Sequence, residues 1–180
     1  MKFNKQKNII DITKPVEIKT YLSIGLLGKN YALNINFKNI NLPEINIGKV
    51  EINIDLPKRY EKYNKVEVIS MVVDKMYEDI AEQEIEQSME TARVILGFAP
   101  DNYEFKKMKN SYIKVNSNKT ISINPEIVKY SRKVIDSSMI SAFCKLRYRE
   151  NSNLYKETIK FAMREYESFN IDDNYLLKIS

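Results

Sequence analysis

Hydrophobic and polar residues alternate in two stretches of the first half of the chain. In residues 31–37 and again in residues 50–56, every second residue is apolar and most residues between them are asparagine or acidic. A period of two is typical of a strand with one buried face. Gly28 and Gly48 mark turns before the two stretches, and the apolar residues within 18–27 favour an earlier strand.

The pattern changes to helical spacing after Pro57. Apolar residues recur three or four positions apart over 65–96, which predicts one long helix that stops at Gly97, with Pro100 close behind. The opposite face carries Asp74, Glu78, Glu82, Glu86 and Glu90. Carboxylates at this spacing resemble metal ligands, but no histidine accompanies them, so a solvated face is the preferred interpretation.

Two short strands are predicted next, at residues 103–107 and 120–123, with an irregular loop over 110–119 between them. Pro125 suits the first turn of the helical segment that follows. The N-terminal stretch before about residue 15 has no usable pattern, which is compatible with a flexible start.

Two helices are predicted to complete the chain. The first, over 132–146, places Val134, Ile135, Ser138, Met139, Ala142 and Leu146 near one face. The second, over 154–169, is expected to bury Leu154, Thr158, Phe161, Ala162, Tyr166 and Phe169. Strands followed by a long helix, short strands and two helices indicate an α+β fold. A chain of 180 residues without a linker or a repeat is expected to form a single domain, 1–180.

Composition narrows the function classes. No apolar run is long enough to span a bilayer, and the first residues lack the apolar core of a secretory signal. The lone Cys144 cannot form an internal disulfide, which favours the cytoplasm. The chain contains no histidine, no Cys-x-x-Cys and no phosphate-binding glycine motif, so neither a cofactor nor a structural zinc ion is expected.

Charge is distributed unevenly around the net value of +5. Residues 61–100 hold nine acidic against four basic residues, a net −5, whereas residues 105–149 hold eleven basic against two acidic residues, a net +9. Such asymmetry can mark a surface for phosphates, nucleic acid or an acidic partner. The alternative is an ordinary solvated lysine-rich surface, and the sequence leaves both interpretations open.

Residues 134–155 have the spacing of a zinc-peptidase helix without its ligands. Such a helix carries His-Glu-x-x-His, so that two imidazoles at i and i+4 face one ion and the glutamate acts as general base, with a third ligand six residues on. Here the four positions hold Ser141, Ala142, Lys145 and Asn151, which we call the motif positions.

Over about residues 25–170 the chain resembles the YgjP-like zinc metallopeptidases, a zincin-type family. Family members have a Trp-Gly-Ser-Cys segment, for which this chain has Tyr112, Ile113, Lys114 and Val115, and an Asn nine residues on, matched by Asn124. Val134, Ile135 and Asp136 match the approach to the metal helix, Cys144 and Leu146 match within it, and Ser152 and Tyr155 match after it. The resemblance implies a zincin-like fold and, for the motif positions, vestigial metal ligands at Ser141, Lys145 and Asn151 with a vestigial base at Ala142.

The chemistry of an active relative is not expected here. Ser141 and Asn151 offer weak neutral oxygens, Ala142 removes the general base, and the ammonium of Lys145 would repel a cation. The amine of Lys145 either fills the emptied metal position or extends to solvent. Alternatively it turns the cleft into a phosphate or carboxylate receptor with the candidate binding residues Tyr112, Lys114, Arg147 and Arg149. A Ser141 nucleophile with Lys145 as its base is conceivable, but it would require a neutral amine.

Three hypotheses about function follow. The preferred one is a catalytically inactive metallopeptidase-like pseudoenzyme that acts as a binding or interaction module, with no catalytic residue, no metal, and an unknown protein or anionic ligand as its partner. The second is a basic nucleotide- or nucleic-acid-binding protein that uses the +9 segment. The third is a metal-dependent hydrolase that uses non-histidine ligands.

Overall fold

The computed structural model describes residues 22–164, and within them the fold is α+β, as the sequence predicts. Two sheets and three α-helices share one cluster of buried apolar side chains. None of the helices in this part of the chain is long and apolar enough to cross a bilayer. The predicted flexible start, the strand residue Ile18 and the helix residues Tyr166 and Phe169 lie outside the described residues.

The first sheet contains four strands in the order β1-β2-β4-β3. They are β1 (Leu22–Leu26), β2 (Lys29–Lys38), β3 (Glu44–Ile47) and β4 (Glu51–Pro57). The outer pairs, β1–β2 and β3–β4, are antiparallel as expected, whereas β2 and β4 are parallel because the chain reverses twice, through β3, between them. The sequence did not predict β3, which has only four residues.

The alternating pattern gives this sheet two different faces. Every second residue of β2 and β4 packs into the core, where Ile52, Ile54 and Leu56 are fully buried. The other face is rich in amides and carboxylates, and Asn34 and Asn36 donate across it to Asn53 and Asp55, both at 3.1 Å. The polar face satisfies its own hydrogen bonds, so the sheet can leave it in solvent.

Helix α1 spans Lys65–Leu96, the bounds that the sequence predicts. The Oδ1 atom of Asn64 accepts from the Val66 N–H group at 3.0 Å, and Gly97 ends the helix in the left-handed region at φ 71°. The carboxylates of the predicted solvated face are exposed, apart from the half-buried Asp74, which pairs with Lys107 at 2.6 Å.

The second sheet contains three strands in the order β5-β7-β6. Strands β5 (Asn102–Phe105) and β7 (Thr120–Ile123) are parallel, and β6 (Ile113–Val115) is antiparallel to β7. Strand β7 has its predicted bounds, but β5 ends two residues early. The predicted irregular loop over 110–119 is wrong, because it contains β6, whose Ile113 is fully buried.

The turn between β1 and β2 is hydrogen-bonded to the segment that precedes the last two helices. Pro125 starts a 3₁₀ helix (Pro125–Lys129) rather than the first turn of an α-helix. The N–H groups of Leu27 and Gly28 donate to Val128 at 2.7 Å and to Lys129 at 3.2 Å. Gly28 has φ +77°, and a Cβ atom there would lie 2.8 Å from Cβ of Ser131, so the contact requires glycine.

Helix α2 (Arg132–Arg147) is the centre of the molecule, and α3 (Asn153–Arg164) lies against it. Residues 135–144 are all buried, because β6, α1 and α3 surround α2, so the prediction of one buried face is too narrow. On α3 the predicted face is wrong at Leu154 and Phe161, each 63% exposed. Tyr155, Ile159 and Met163 pack on the core instead, together with the buried Ala162.

Candidate functional site

Three of the motif positions lie on the buried part of α2, and the fourth follows it. Ser141 is 4% exposed, Ala142 is fully buried, and the Lys145 side chain is 12% exposed. Asn151 lies in the turn between α2 and α3, exposed and in the left-handed region at φ 68°. Helical spacing puts Ser141 and Lys145 on the same side of α2, one turn apart.

The hydroxyl of Ser141 is paired within the fold. Its Oγ atom lies 3.0 Å from the phenol oxygen of Tyr155 on α3, and either group can donate. Burial raises the pKa of Tyr155, although the hydrogen bond to Ser141 lowers it in part. The phenol is therefore neutral at physiological pH, and the first motif position holds two uncharged hydroxyl groups.

Lys145 forms an ion pair at the end of α2. Its Nζ atom lies 2.9 Å from Oε1 of Glu150, whose side chain is 57% exposed, so the ammonium lies inside and the carboxylate at the rim. This geometry disfavours Lys145 as a general base for Ser141.

The donor set at the motif positions does not suit a zinc ion. Zinc in proteins is held by thiolate, imidazole or carboxylate groups. Among residues 22–164, no group of three or more histidine, cysteine, aspartate or glutamate side chains is arranged to hold a metal. The nearby Cys144 is buried, and burial raises the pKa of its thiol to about 12, so it is neither a thiolate ligand nor a ready nucleophile.

A second polar cluster fixes α2 against α1. The hydroxyl of Ser88, which is fully buried, donates to Oδ1 of Asp136. Arg132 lies 3.2 Å from the same oxygen through Nε and also pairs with Glu84 on α1. Asp136, one of the residues that carry the resemblance, thus joins two helices, and every member of the cluster has a partner.

The candidate binding residues have separate neighbours. The ring of Tyr112 packs edge-on against Tyr130 at 5.2 Å between centroids, and the guanidinium of Arg147 lies 5.1 Å from the Phe98 ring centre. A hydrogen bond between the two phenols, together with burial, raises the pKa of Tyr130 to about 12. Arg149 is exposed in the turn after α2.

Lys114 lines a groove of about 670 Å³ over the outer face of the three-stranded sheet. Among residues 22–164, those that line this groove all come from 102–122, so Lys145, Arg147 and Arg149 are not part of it. The sequence does not predict this groove, because β6 lies in a segment that was predicted to be an irregular loop. Strand β6 contains Lys114, and Asn116 follows directly after it.

The basic segment does not form one uniform surface. Lys107, Lys129, Arg132 and Lys145 make ion pairs within the fold, and Arg147 lies over an aromatic ring. Two others, Lys106 and Lys114, line the groove. Glu150, the partner of Lys145, was also missed, because a contact across the end of a helix depends on a turn that the sequence alone does not specify.

Comparison with protein families gives one match. The model of the family described as YgjP-like, metallopeptidase domain, matches residues 2–169. Comparison with curated proteins and with solved structures gives no match. The family match covers nearly the whole chain and includes all the motif positions. The chain therefore belongs to the YgjP-like metallopeptidase-domain family.

Proposed function

We propose that this protein is a catalytically inactive member of its family that acts as a binding or interaction module. The observation that carries the proposal is the ammonium of Lys145, which pairs with Glu150 at 2.9 Å. The resemblance assigns this residue to the position of the second zinc ligand. An ammonium and a divalent cation would repel each other strongly at such a short distance. Residue 142 is alanine, so it has no carboxylate that could act as general base for the hydrolytic water.

The neighbouring contacts support the same proposal. Ser141 and Tyr155 pair with each other at 3.0 Å, so the first ligand position is part of the α2–α3 contact. The surrounding residues 135–144 are buried, which is typical of a helix that serves as scaffold. The third hypothesis, a hydrolase with non-histidine ligands, gains no support from the described residues. They contain no cluster of three or more aspartate, glutamate, cysteine or histidine side chains that could hold a metal ion.

Zinc uptake tests the proposal directly. The wild-type protein is dialysed against zinc, and bound metal is measured by elemental analysis, with casein cleavage as a second measurement. We expect no stoichiometric zinc and no cleavage, because the donors at the motif positions are neutral or cationic. Stoichiometric tight zinc, or cleavage by the purified protein, would contradict the proposal.

A rebuilt site tests whether the motif positions keep the family geometry. The quadruple variant Ser141→His, Ala142→Glu, Lys145→His, Asn151→His is expected to bind about one zinc ion per chain. His tolerates the left-handed conformation of position 151 better than most residues. The matched control retains Lys145 and carries only the other three changes. It should not bind zinc, and equal binding by both variants would show that the ammonium is not the obstacle.

A further inference from the structure

We propose that the groove over the outer face of the three-stranded sheet binds the phosphate group of a small phosphate ester. The inference goes beyond the proposed function, because the groove is built from β5, β6 and β7 and contains none of the motif positions. It rests on an imbalance between hydrogen-bond donors and acceptors on this face.

The centre of the groove is a row of side chains that are hydrogen-bonded to one another. Asn116 donates through Nδ2 to the hydroxyl oxygens of Thr120 and Ser122, both at 3.0 Å. Ser122, which is nearly buried, donates to Oε1 of Glu104 at 2.8 Å. These bonds join β5 to β7, and β7 to Asn116, the residue that follows β6. They hold the floor of the groove in one arrangement before any ligand binds.

The surplus of hydrogen-bond donors lies at the rim of the groove. The Oδ1 atom of Asn118 accepts from the Thr120 hydroxyl at 2.7 Å, and Oδ1 of Asn102 accepts from the Tyr103 N–H group at 2.8 Å. Both amides therefore use their oxygen within the protein, and neither NH₂ group has a hydrogen-bond partner in the part of the chain that the structure describes. The hydroxyl of Ser117 has no hydrogen-bond partner among residues 22–164.

Charge in the groove agrees with the surplus of donors. Lys106 and Lys114 line it, and neither has an ion-pair partner among the described residues. The next residue, Lys107, points elsewhere and pairs with Asp74 on α1 at 2.6 Å, because consecutive residues of an extended chain alternate in direction. Glu104 is the one carboxylate among the described residues that line the groove, where two lysines stand against it.

A phosphate ester matches this arrangement better than a carboxylate. Its terminal oxygens accept several hydrogen bonds at once, and it carries between one and two negative charges near neutral pH. The two ammonium groups, the two amide NH₂ groups and the Ser117 hydroxyl supply donors from both sides of the groove. The carboxylate of Glu104 would repel a bound phosphate. Removing its charge should therefore strengthen binding, whereas removing a lysine charge should weaken it.

The test is a titration followed by ¹H–¹⁵N NMR at low salt, with inorganic phosphate, glycerol 3-phosphate and acetate as probes. We expect saturable shifts of the β6 and β7 amides for both phosphates, with a dissociation constant in roughly the millimolar range. Lys106→Gln and Lys114→Gln should each weaken binding about tenfold. The matched control Lys107→Gln, which removes the same charge one residue away, should change binding less than about twofold, and Glu104→Gln should tighten it.

Three results would overturn the proposal. They are the absence of saturable shifts, equal weakening by Lys107→Gln, which would indicate diffuse charge attraction, and acetate binding as tightly as phosphate. Tighter binding of glycerol 3-phosphate than of inorganic phosphate would support an ester as the ligand, and equal binding would support recognition of the phosphate group itself. Zinc uptake at the motif positions is measured separately, so each proposal can fail while the other stands.

Discussion

The C-terminal half of α2 and the outer face of the three-stranded sheet contrast in how their polar groups are used. On α2, Ser141 is bonded to Tyr155 and Lys145 is paired with Glu150, in surroundings that are otherwise apolar and buried. Over the sheet, the amide oxygens of Asn102 and Asn118 are used internally, while two lysines, Lys106 and Lys114, line an open groove. The region that the motif points to is thus chemically closed, and the region built by strand pairing is open. The resemblance directs attention to α2, whereas the hydrogen-bond partners are the reason why we propose ligand binding at the sheet instead.

The largest expected effect is the loss of stability when a buried side chain of α2 is truncated. Phe143→Ala should lower the free energy of unfolding by about 3–5 kcal/mol, because a fully buried aromatic ring leaves a cavity. Its matched control is Phe161→Ala on α3, where the ring is 63% exposed and the cost should stay within about 0.5 kcal/mol. Urea unfolding followed by circular dichroism measures both. Similar costs for the two variants would mean that α2 is not the buried scaffold described here.

A smaller effect is expected at the cluster that joins α1 and α2. Asp136→Ala removes the acceptor of the buried Ser88 hydroxyl and one of the two partners of Arg132. An unsatisfied buried hydroxyl costs about 1–3 kcal/mol, while Arg132 keeps its pair with Glu84. The same urea experiment measures the loss, with Glu86→Gln on the exposed face of α1 as the control. A cost no larger than that of the control would show that the cluster does not hold the helices together.

The parts of the fold that the sequence predicted have strong local signals. The bounds of α1 follow from a long apolar period and a terminal glycine, and β2 and β4 follow from alternation. The short strands β3 and β6 were missed, because three or four residues carry too little pattern and their pairing is decided by distant partners. The exposed side of α3 was misjudged for a similar reason, since Leu154 and Phe161 fit a helical period that packing on α2 does not use.

The sequence suggests which residues form the candidate site, but it does not predict their contacts. Spacing and resemblance assign the four motif positions, which stay a prediction, and they match Tyr155 as an aromatic residue without a role, whereas the structure pairs it with Ser141. The Lys145–Glu150 pair could not be anticipated, because it depends on a turn in which Asn151 adopts the left-handed conformation. The groove depends on the register of three strands from two separate segments, which no local pattern encodes.

The smallest expected changes in stability are those of variants at Lys145, its partner Glu150 and Lys114. These variants also compare the two regions most directly. Glu150→Gln should destabilise the protein by at most about 1 kcal/mol, because Glu150 is 57% exposed and solvent screens the pair. Lys145→Met should be close to neutral or stabilising, because it removes a largely buried charge and leaves Glu150 at the rim. Adding Glu150→Gln to the Lys145→Met variant should then cost almost nothing, and the double-mutant cycle gives the coupling energy.

Lys114→Gln is the control from the open region, and it should change stability by less than about 0.5 kcal/mol while it weakens phosphate binding. If Lys145→Met instead destabilised the protein by several kcal/mol, the ammonium would be an essential part of the core. If Lys114→Gln did so, the groove would be held together by its lysine. Either result would contradict the comparison of the two regions, because Lys145 would then be required for stability, or Lys114 would have a structural role instead of a binding one.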